Sequence, residues 1–179
     1  MEQIDPRLVP KRTLNNGEQI PCIGMGTFGS DHVSPEEVSA AVAGAIRCGY
    51  RLFDCASVYG NEDQIGPVLE DAMREGVVTR EDLFIVSKGW NDKHGKGDVL
   101  LSCAQTLKDL RLDYLDAYFV HWPFANYHAP GCDGDSRNPD SKPFRVEDFM
   151  ATWHQMERLH DMGLVRSLGM SNMTIPKLE

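Results

Sequence analysis

The chain has 179 residues, enough for one domain with a sizeable core, and its 41% hydrophobic and 25% charged content is that of an ordinary globular protein rather than a disordered one. A formal charge of −9, with Lys and Arg scattered, argues against a nucleic-acid or anionic-membrane partner, which needs clustered cations. No apolar stretch approaches the roughly 20 residues that span a bilayer, and residues 1–11 hold acids and prolines where a secretory leader is apolar. The cysteines, Cys22, Cys48, Cys55, Cys103 and Cys132, form no C-x-x-C pair or dense framework, so reduced thiols and a cytoplasmic location are expected, with no metal site.

In chain order, two β-prone segments, 12–14 and 18–20, flank Asn15-Asn16-Gly17, whose Asn-Gly pair tolerates positive φ and signals a hairpin. A first core strand is predicted over 23–26. Ser34-Pro35-Glu36-Glu37 reads as a helix start, with Ser34 capping, Pro35 at the first helical position and Glu37 closing a capping box. Val38, Ala41, Val42 and Ala45 supply its buried stripe, and Gly49 is placed to end it. A second strand follows over 51–56.

Asn61 is the predicted cap of the next helix, with Ile65, Val68, Leu69, Ala72 and Met73 on one face. Pro67 lies inside that pattern and predicts a distorted first turn. Strand three is predicted over 83–87. Asp98 is expected to cap a helix that buries Leu100, Ala104, Leu107 and Leu110, and strand four covers 115–120. A long Gly/Pro/Asp/Asn-rich loop spans 123–143, and loops of that length are usually functional or mobile. A helix over 146–162 carries Phe149, Trp153 and Met156 and ends at Gly163; strand five covers 165–170, and Thr174-Ile175-Pro176 opens another helix.

Strict strand-helix alternation predicts parallel strands joined by crossovers, in either a doubly wound sheet or a barrel. Gly24-Met25-Gly26-Thr27-Phe28-Gly29 matches G-x-G-x-x-G, with Asp54 ending the next strand, as in a Rossmann dinucleotide site. Its context argues against that reading. The helix starts at Ser34 rather than at the third glycine, and a hairpin precedes the strand.

The chemistry-bearing residues follow strand ends: Asp54 after strand two, with Tyr59 just beyond, Lys88 after strand three and His121 after strand four. In a parallel β/α sheet these positions share the carboxyl end, where active sites of such folds sit. Hydride delivery to a carbonyl leaves an alkoxide that needs a proton, and a tyrosine whose pKa falls below its usual value of about 10 can give it. An ammonium such as Lys88 favours the phenolate, Asp54 would hold Lys88, and His121 would orient the carbonyl oxygen. Each residue alone reads equally well as a cap, an ion pair or packing. A glycosidase site would need two carboxylates flanking a sugar cleft and leaves Lys88 and Tyr59 without a role.

Several segments resemble the aldo-keto reductase superfamily. Residues 52–62, Leu-Phe-Asp-Cys-Ala-Ser-Val-Tyr-Gly-Asn-Glu, resemble its Asp/Tyr segment, and Phe84-Ile85-Val86-Ser87-Lys88 its lysine strand. Residues 110–116 leading to His121-Trp122-Pro123 resemble its histidine segment, and residues 163–172 its nicotinamide strand. The resemblance implies an α/β fold of (β/α)8 TIM-barrel type, here cut to about five β/α units behind a hairpin, so that 1–179 is an incomplete barrel domain. It implies reduction of an aldehyde, ketone or sugar carbonyl with NADPH, or NADH, as cofactor. By that resemblance Asp54, Tyr59, Lys88 and His121 are the catalytic tetrad, with Tyr59 as general acid. Gly26, Thr27, Phe28 and Asp54 line the cofactor, Ser171 and Asn172 bond the nicotinamide carboxamide, and Trp90, His121 and Trp122 line the substrate pocket.

Gly89 departs from the bulky apolar residue many relatives carry there, which leaves the placement of Trp90 open. Members of the family are also close to twice this length, so a missing C-terminal barrel segment, or self-association in its place, is expected. A non-catalytic binding or regulatory relative is the alternative reading.

Overall fold

A computed structural model describes residues 4–29, 32–126, 138–139 and 141–178. Cys132 and most of the 123–143 loop lie outside the described residues. Two short strands, β1 (Lys11–Thr13) and β2 (Gln19–Pro21), pair antiparallel with Thr13 opposite Gln19, and the Asn-Gly turn closes on Gly17 at φ 91°. Five parallel strands follow in sequential order, β3 (Met25–Gly26), β4 (Leu52–Asp54), β5 (Phe84–Gly89), β6 (Leu115–Val120) and β7 (Val165–Met170). Sequential order excludes the doubly wound alternative, whose strand order reverses at a switch point.

The helices α1 (Pro35–Cys48), α2 (Glu62–Arg74), α3 (Asp98–Leu110), α4 (Val146–Asp161) and α5 (Ile175–Leu178) lie between or after the strands. The capping box of α1 forms as expected, with Ser34 Oγ accepting from the Glu37 N–H and Glu37 Oε2 from the Ser34 N–H, and Gly49 ends the helix at φ 103°. The buried stripe of α1 is Val38, Val42 and Ile46, while Ala41 is exposed. Likewise α3 buries Val99, Cys103, Leu107 and Leu110 with Ala104 exposed. Asp98 is the first residue of α3 rather than its cap. Gly97 occupies the cap position at φ 88°, and the Asp98 carboxylate accepts from the Gly95 N–H at 3.1 Å.

Pro67 sits within an unbroken α2. Its neighbour Gly66 lacks the Cβ that would meet the proline ring, which removes the usual clash of the pre-proline residue with helical geometry. Among the described residues no helix is long and apolar enough to cross a membrane.

Alternation along the strands separates two faces. Ile85, Tyr118 and Val120 face outward into a core shared with α1 to α4, which Leu115 and Val165 join at the amino ends of their strands. Phe84, Val86 and Ala117 face inward and are covered by Leu14 and Ile20 of the hairpin with Leu52 and Phe119. Asn16 ties the hairpin to the last strand, its Nδ2 donating to the Arg166 carbonyl at 3.1 Å and to Ser167 Oγ at 2.9 Å. At the amino ends of the strands Asp116 Oδ2 accepts from the Ile85 N–H and from Arg80, both at 2.8 Å. What the sequence leaves for the carboxyl ends of the inner face is polar.

Candidate active site

The inward positions run Leu52 and Asp54 on β4, Phe84, Val86 and Lys88 on β5, and Ala117 and Phe119 on β6, with His121 next. Register places Asp54 beside Val86 and Lys88 beside Phe119, so the three polar residues emerge together at the carboxyl end. Tyr59 ends a short 3-10 turn, Ser57–Tyr59, that follows β4.

Lys88 is 6% exposed, and a buried ammonium must be paired. Its Nζ lies 2.6 Å from Asp54 Oδ1 and donates to the Cys55 carbonyl at 2.9 Å and to the Tyr59 hydroxyl oxygen at 3.3 Å. The Tyr59 ring meets His121 edge-on, with centroids 5.9 Å apart. Trp90 also packs edge-on against His121, at 4.9 Å, and Phe28, 58% exposed, lies 5.0 Å from Tyr59. Asp54, Tyr59, Lys88 and His121 thus surround one space, with Trp90 and Phe28 on its walls. Trp122 is half-buried beyond His121, its backbone beside the His94 ring.

The residues expected around a dinucleotide divide by what they already do. Thr27 is 1% exposed, and both its N–H and its hydroxyl donate to the Asp54 carbonyl at 3.1 and 3.2 Å, which locks β3 to β4. Ser171 Oγ and Asn172 Nδ2 both donate to the His121 carbonyl, at 2.5 and 2.8 Å. Those donors fix the histidine's backbone, and Asn172, at φ 57°, keeps its amide oxygen for an incoming N–H. Gly26 faces open space where a side chain would stand, next to the flat exposed ring of Phe28. An open glycine, an aromatic ledge and an exposed amide fit a nicotinamide, so the residues present are compatible with the implied group.

Four features were not legible from spacing. Asn61 makes no side-chain cap bond; its Nδ2 instead donates to the Thr27 carbonyl at 2.8 Å and stitches two site loops together. Glu62, 5% exposed, accepts from Ser87 Oγ at 2.5 Å and Thr106 Oγ1 at 2.9 Å behind β5. Burial pushes the Glu62 carboxyl above the usual glutamate range, against those two hydrogen bonds. Burial also pushes the Cys55 thiol up to about 12, so it is a packing residue beside the site and not a thiolate. Opposite Gly89, the buried Tyr118 hydroxyl stands 3.0 Å from where a Cβ would be and donates to Ser102 Oγ at 3.1 Å. The space a bulky residue would take at position 89 is filled from β6.

Residues 22–179 match the family model described as Aldo/keto reductase family. The chain belongs to this family. Over 166 residues it is 43% identical to an aldo/keto reductase of Synechocystis sp., covering 93% of this chain and 49% of that protein. Over 179 residues it is 43% identical to the NAD(P)H-dependent D-xylose reductase of Pachysolen tannophilus, covering 93% of this chain and 52% of that protein. The crystal structure of a Bombyx mori aldo-keto reductase in complex with NADP superposes with a TM-score of 0.80 at 38% identity, over 94% of this chain and 52% of that one. This aldo/keto reductase chain therefore spans about half the length of the relatives it matches, and its five parallel strands are the corresponding part of a TIM-type barrel.

Proposed function

We propose that the chain carries the catalytic side of an NAD(P)H-dependent reductase that converts an aldehyde or ketone to the alcohol, with Tyr59 as the general acid. The observation that carries this reading is the placement of the buried Lys88 ammonium between Asp54 and the Tyr59 hydroxyl, in a space faced by His121. The reduced nicotinamide, when bound, would supply the hydride that the carbonyl carbon needs. Tyr59 gives its hydroxyl proton to the carbonyl oxygen, and the charge left on the phenol oxygen lies 3.3 Å from Lys88 Nζ. Asp54 and the Cys55 carbonyl hold that ammonium in place, and His121 donates to the same carbonyl oxygen and fixes its direction. Trp90 and Trp122 wall the space and keep water out.

Gly26, Phe28, Ser171 and Asn172 would hold the cofactor, with NADPH favoured because a related structure was solved with NADP. The relatives' names, aldo/keto reductase and D-xylose reductase, support a carbonyl or sugar-carbonyl substrate. In the described sheet β3 pairs only with β4 and β7 only with β6. We infer that further β/α units cover these two edges in the working protein, as the length of the relatives suggests.

The test is Tyr59→Phe. It should remove turnover of a generic aldehyde by at least about a hundredfold, the span typical of a lost general acid, with NADPH affinity little changed. Unchanged turnover would exclude Tyr59 as the acid. Cofactor binding in the unaltered protein with no turnover of any aldehyde would favour the binding or regulatory reading instead.

A further inference from the structure

Residues 90–97 link β5 to α3 and begin with Trp90, the wall that meets His121 edge-on at 4.9 Å with the rings 79° apart. The segment has no strand partner, so its backbone groups must find bonds elsewhere. One turn forms inside it, from the Lys93 N–H to the Trp90 carbonyl at 3.0 Å. The loop after β6 supplies a second tie, with the Asn126 N–H donating to the Asn91 carbonyl at 2.7 Å.

Asp98 adds local ties at Gly95, whose N–H donates to its carboxylate at 3.1 Å and whose carbonyl accepts its N–H at 3.1 Å, and further ties come from α4, an element with no residue in the candidate site. Gln155 is 8% exposed, and both ends of its amide reach this segment, the Nε2 donating as well to the Ala151 carbonyl of α4 at 3.4 Å. Its Oε1 accepts from the Gly97 N–H at 2.7 Å, and its Nε2 donates to the Gly95 carbonyl at 3.1 Å. Gly97 is held at φ 88°, so its N–H is aimed by a conformation that only the local turn sets. One turn earlier on α4, the buried Thr152 hydroxyl lies 3.2 Å from His94 Nδ1. A buried glutamine with a fully used amide is there for the partner it holds.

We propose that Gln155 is a positioning residue that holds the 90–97 segment against the site and so fixes the Trp90 wall over His121, setting the bulk of the carbonyl compound that fits. The proposal rests on the reductase reading for its consequence, but not for its geometry. Without the clamp the segment keeps its ties at Asn91 and, through Asp98, at Gly95, but loses both bonds to α4, and the wall moves outward.

The experiment compares the protein with Gln155→Leu, Gln155→Glu and Thr152→Val. Hydrogen exchange at the Gly97 amide and the fluorine resonance of fluorotryptophan-labelled Trp90 report the clamp without any turnover. Gln155→Leu should speed Gly97 exchange about tenfold and shift or broaden the Trp90 signal, since one buried hydrogen bond and its partner are lost. Gln155→Glu keeps the acceptor for the Gly97 N–H and should restore most of the exchange protection. In turnover, Gln155→Leu should raise KM for a small aldehyde about fivefold with kcat changed less than about twofold, and shift preference toward a bulky aldehyde. Thr152→Val should move the same readouts in the same direction by less. Thermal midpoints accompany each variant, and a Gln155→Leu protein that does not fold hands the decision to Gln155→Glu and Thr152→Val. Unchanged Gly97 exchange and an unchanged Trp90 signal would overturn the clamp. Altered exchange with unchanged preference between small and bulky aldehydes would overturn its role at the wall. If the unaltered protein turns over no aldehyde, the reductase reading has failed, and the exchange and fluorine readouts still decide whether Gln155 holds Trp90.

Discussion

Two helical glycines should respond to alanine with opposite signs. Gly66 on α2 faces the end of α3, where an added Cβ would lie 2.1 Å from the Asp109 carbonyl oxygen and 2.9 Å from the Leu110 carbonyl carbon. Both obstacles are backbone, so no side-chain rotation relieves them. Ordinary contact begins at 3.4 Å, so the helices must part by about 1.3 Å, across an interface that buries Ile65, Leu69, Cys103 and Leu107. A gap of that size forfeits a large share of the dispersion contacts, and overpacking of this kind costs about 1–3 kcal/mol. The new Cβ also precedes Pro67, where a side chain opposes the helical conformation. With both obstacles in the backbone the cost falls at the upper end of that range, and the about 1 kcal/mol that alanine gains over glycine in helix propensity leaves a net loss of roughly 2 kcal/mol. For a domain of this size that lowers the thermal midpoint by about 4–8 °C. Gly44 on α1 is exposed and its Cβ would meet nothing within 4 Å, so propensity acts alone. Gly44→Ala should raise the midpoint by about 2–4 °C. Calorimetry or circular dichroism melts of both variants against the parent provide the assay. A Gly66→Ala midpoint at or above the parent's would refute the close helix crossing. A Gly44→Ala midpoint below it would refute the propensity argument.

The Glu62 carboxyl, raised by burial above its ordinary 4.5, contributes stability that is present below that value and is lost as pH rises through the folded value. Glu62→Gln removes that titration. The variant's midpoint should gain on the parent's from about pH 4.5 upward, and parallel curves across that range would count against a buried, titrating Glu62. Gly89→Leu should displace the Tyr118 hydroxyl and break its bond to Ser102, costing about 1–3 kcal/mol in denaturant unfolding, and adding Tyr118→Phe should recover part of the loss. Full additivity of the two changes would mean the side chains do not meet.

Local signals carried far in this chain. The Asn-Gly turn, the Ser34 capping box and the αL glycine at position 49 are satisfied by residues within a few positions of themselves, and all three form. The convergence of Asp54, Lys88 and His121 was legible for a related reason. Parallel strands in sequential order bring their carboxyl ends together, and two-residue alternation then decides which side chains face inward. Failures occurred where a side chain is claimed by a distant partner. Asn61 looked like a helix cap because caps are local, but the Thr27 carbonyl competes for its amide. The α1 stripe slipped from Ala41 to Ile46 because small alanines mark no particular face, and the sheet takes the larger side chain. Glu62 and Gln155 carry no sequence mark at all. Their meaning depends on which hydroxyls and amides the fold brings to them.

The tie from Asn16 to β7 bears on the order in which the molecule assembles. Every pairing in the parallel sheet joins strands that are neighbours along the chain, whereas Asn16 reaches partners 150 and 151 residues away. Closing so long a loop in the unfolded chain carries an entropy cost that grows roughly as (3/2)RT ln n, but once the sheet exists the two ends already face each other. The hairpin therefore leaves the ribosome before the five parallel strands and docks only after β7 has joined them. Until it does, Phe84, Val86 and Leu52 stand uncovered on the inner face. Synthesis thus has a built-in interval of exposed apolar surface, which ends only when β7 gives the hairpin turn something to hold.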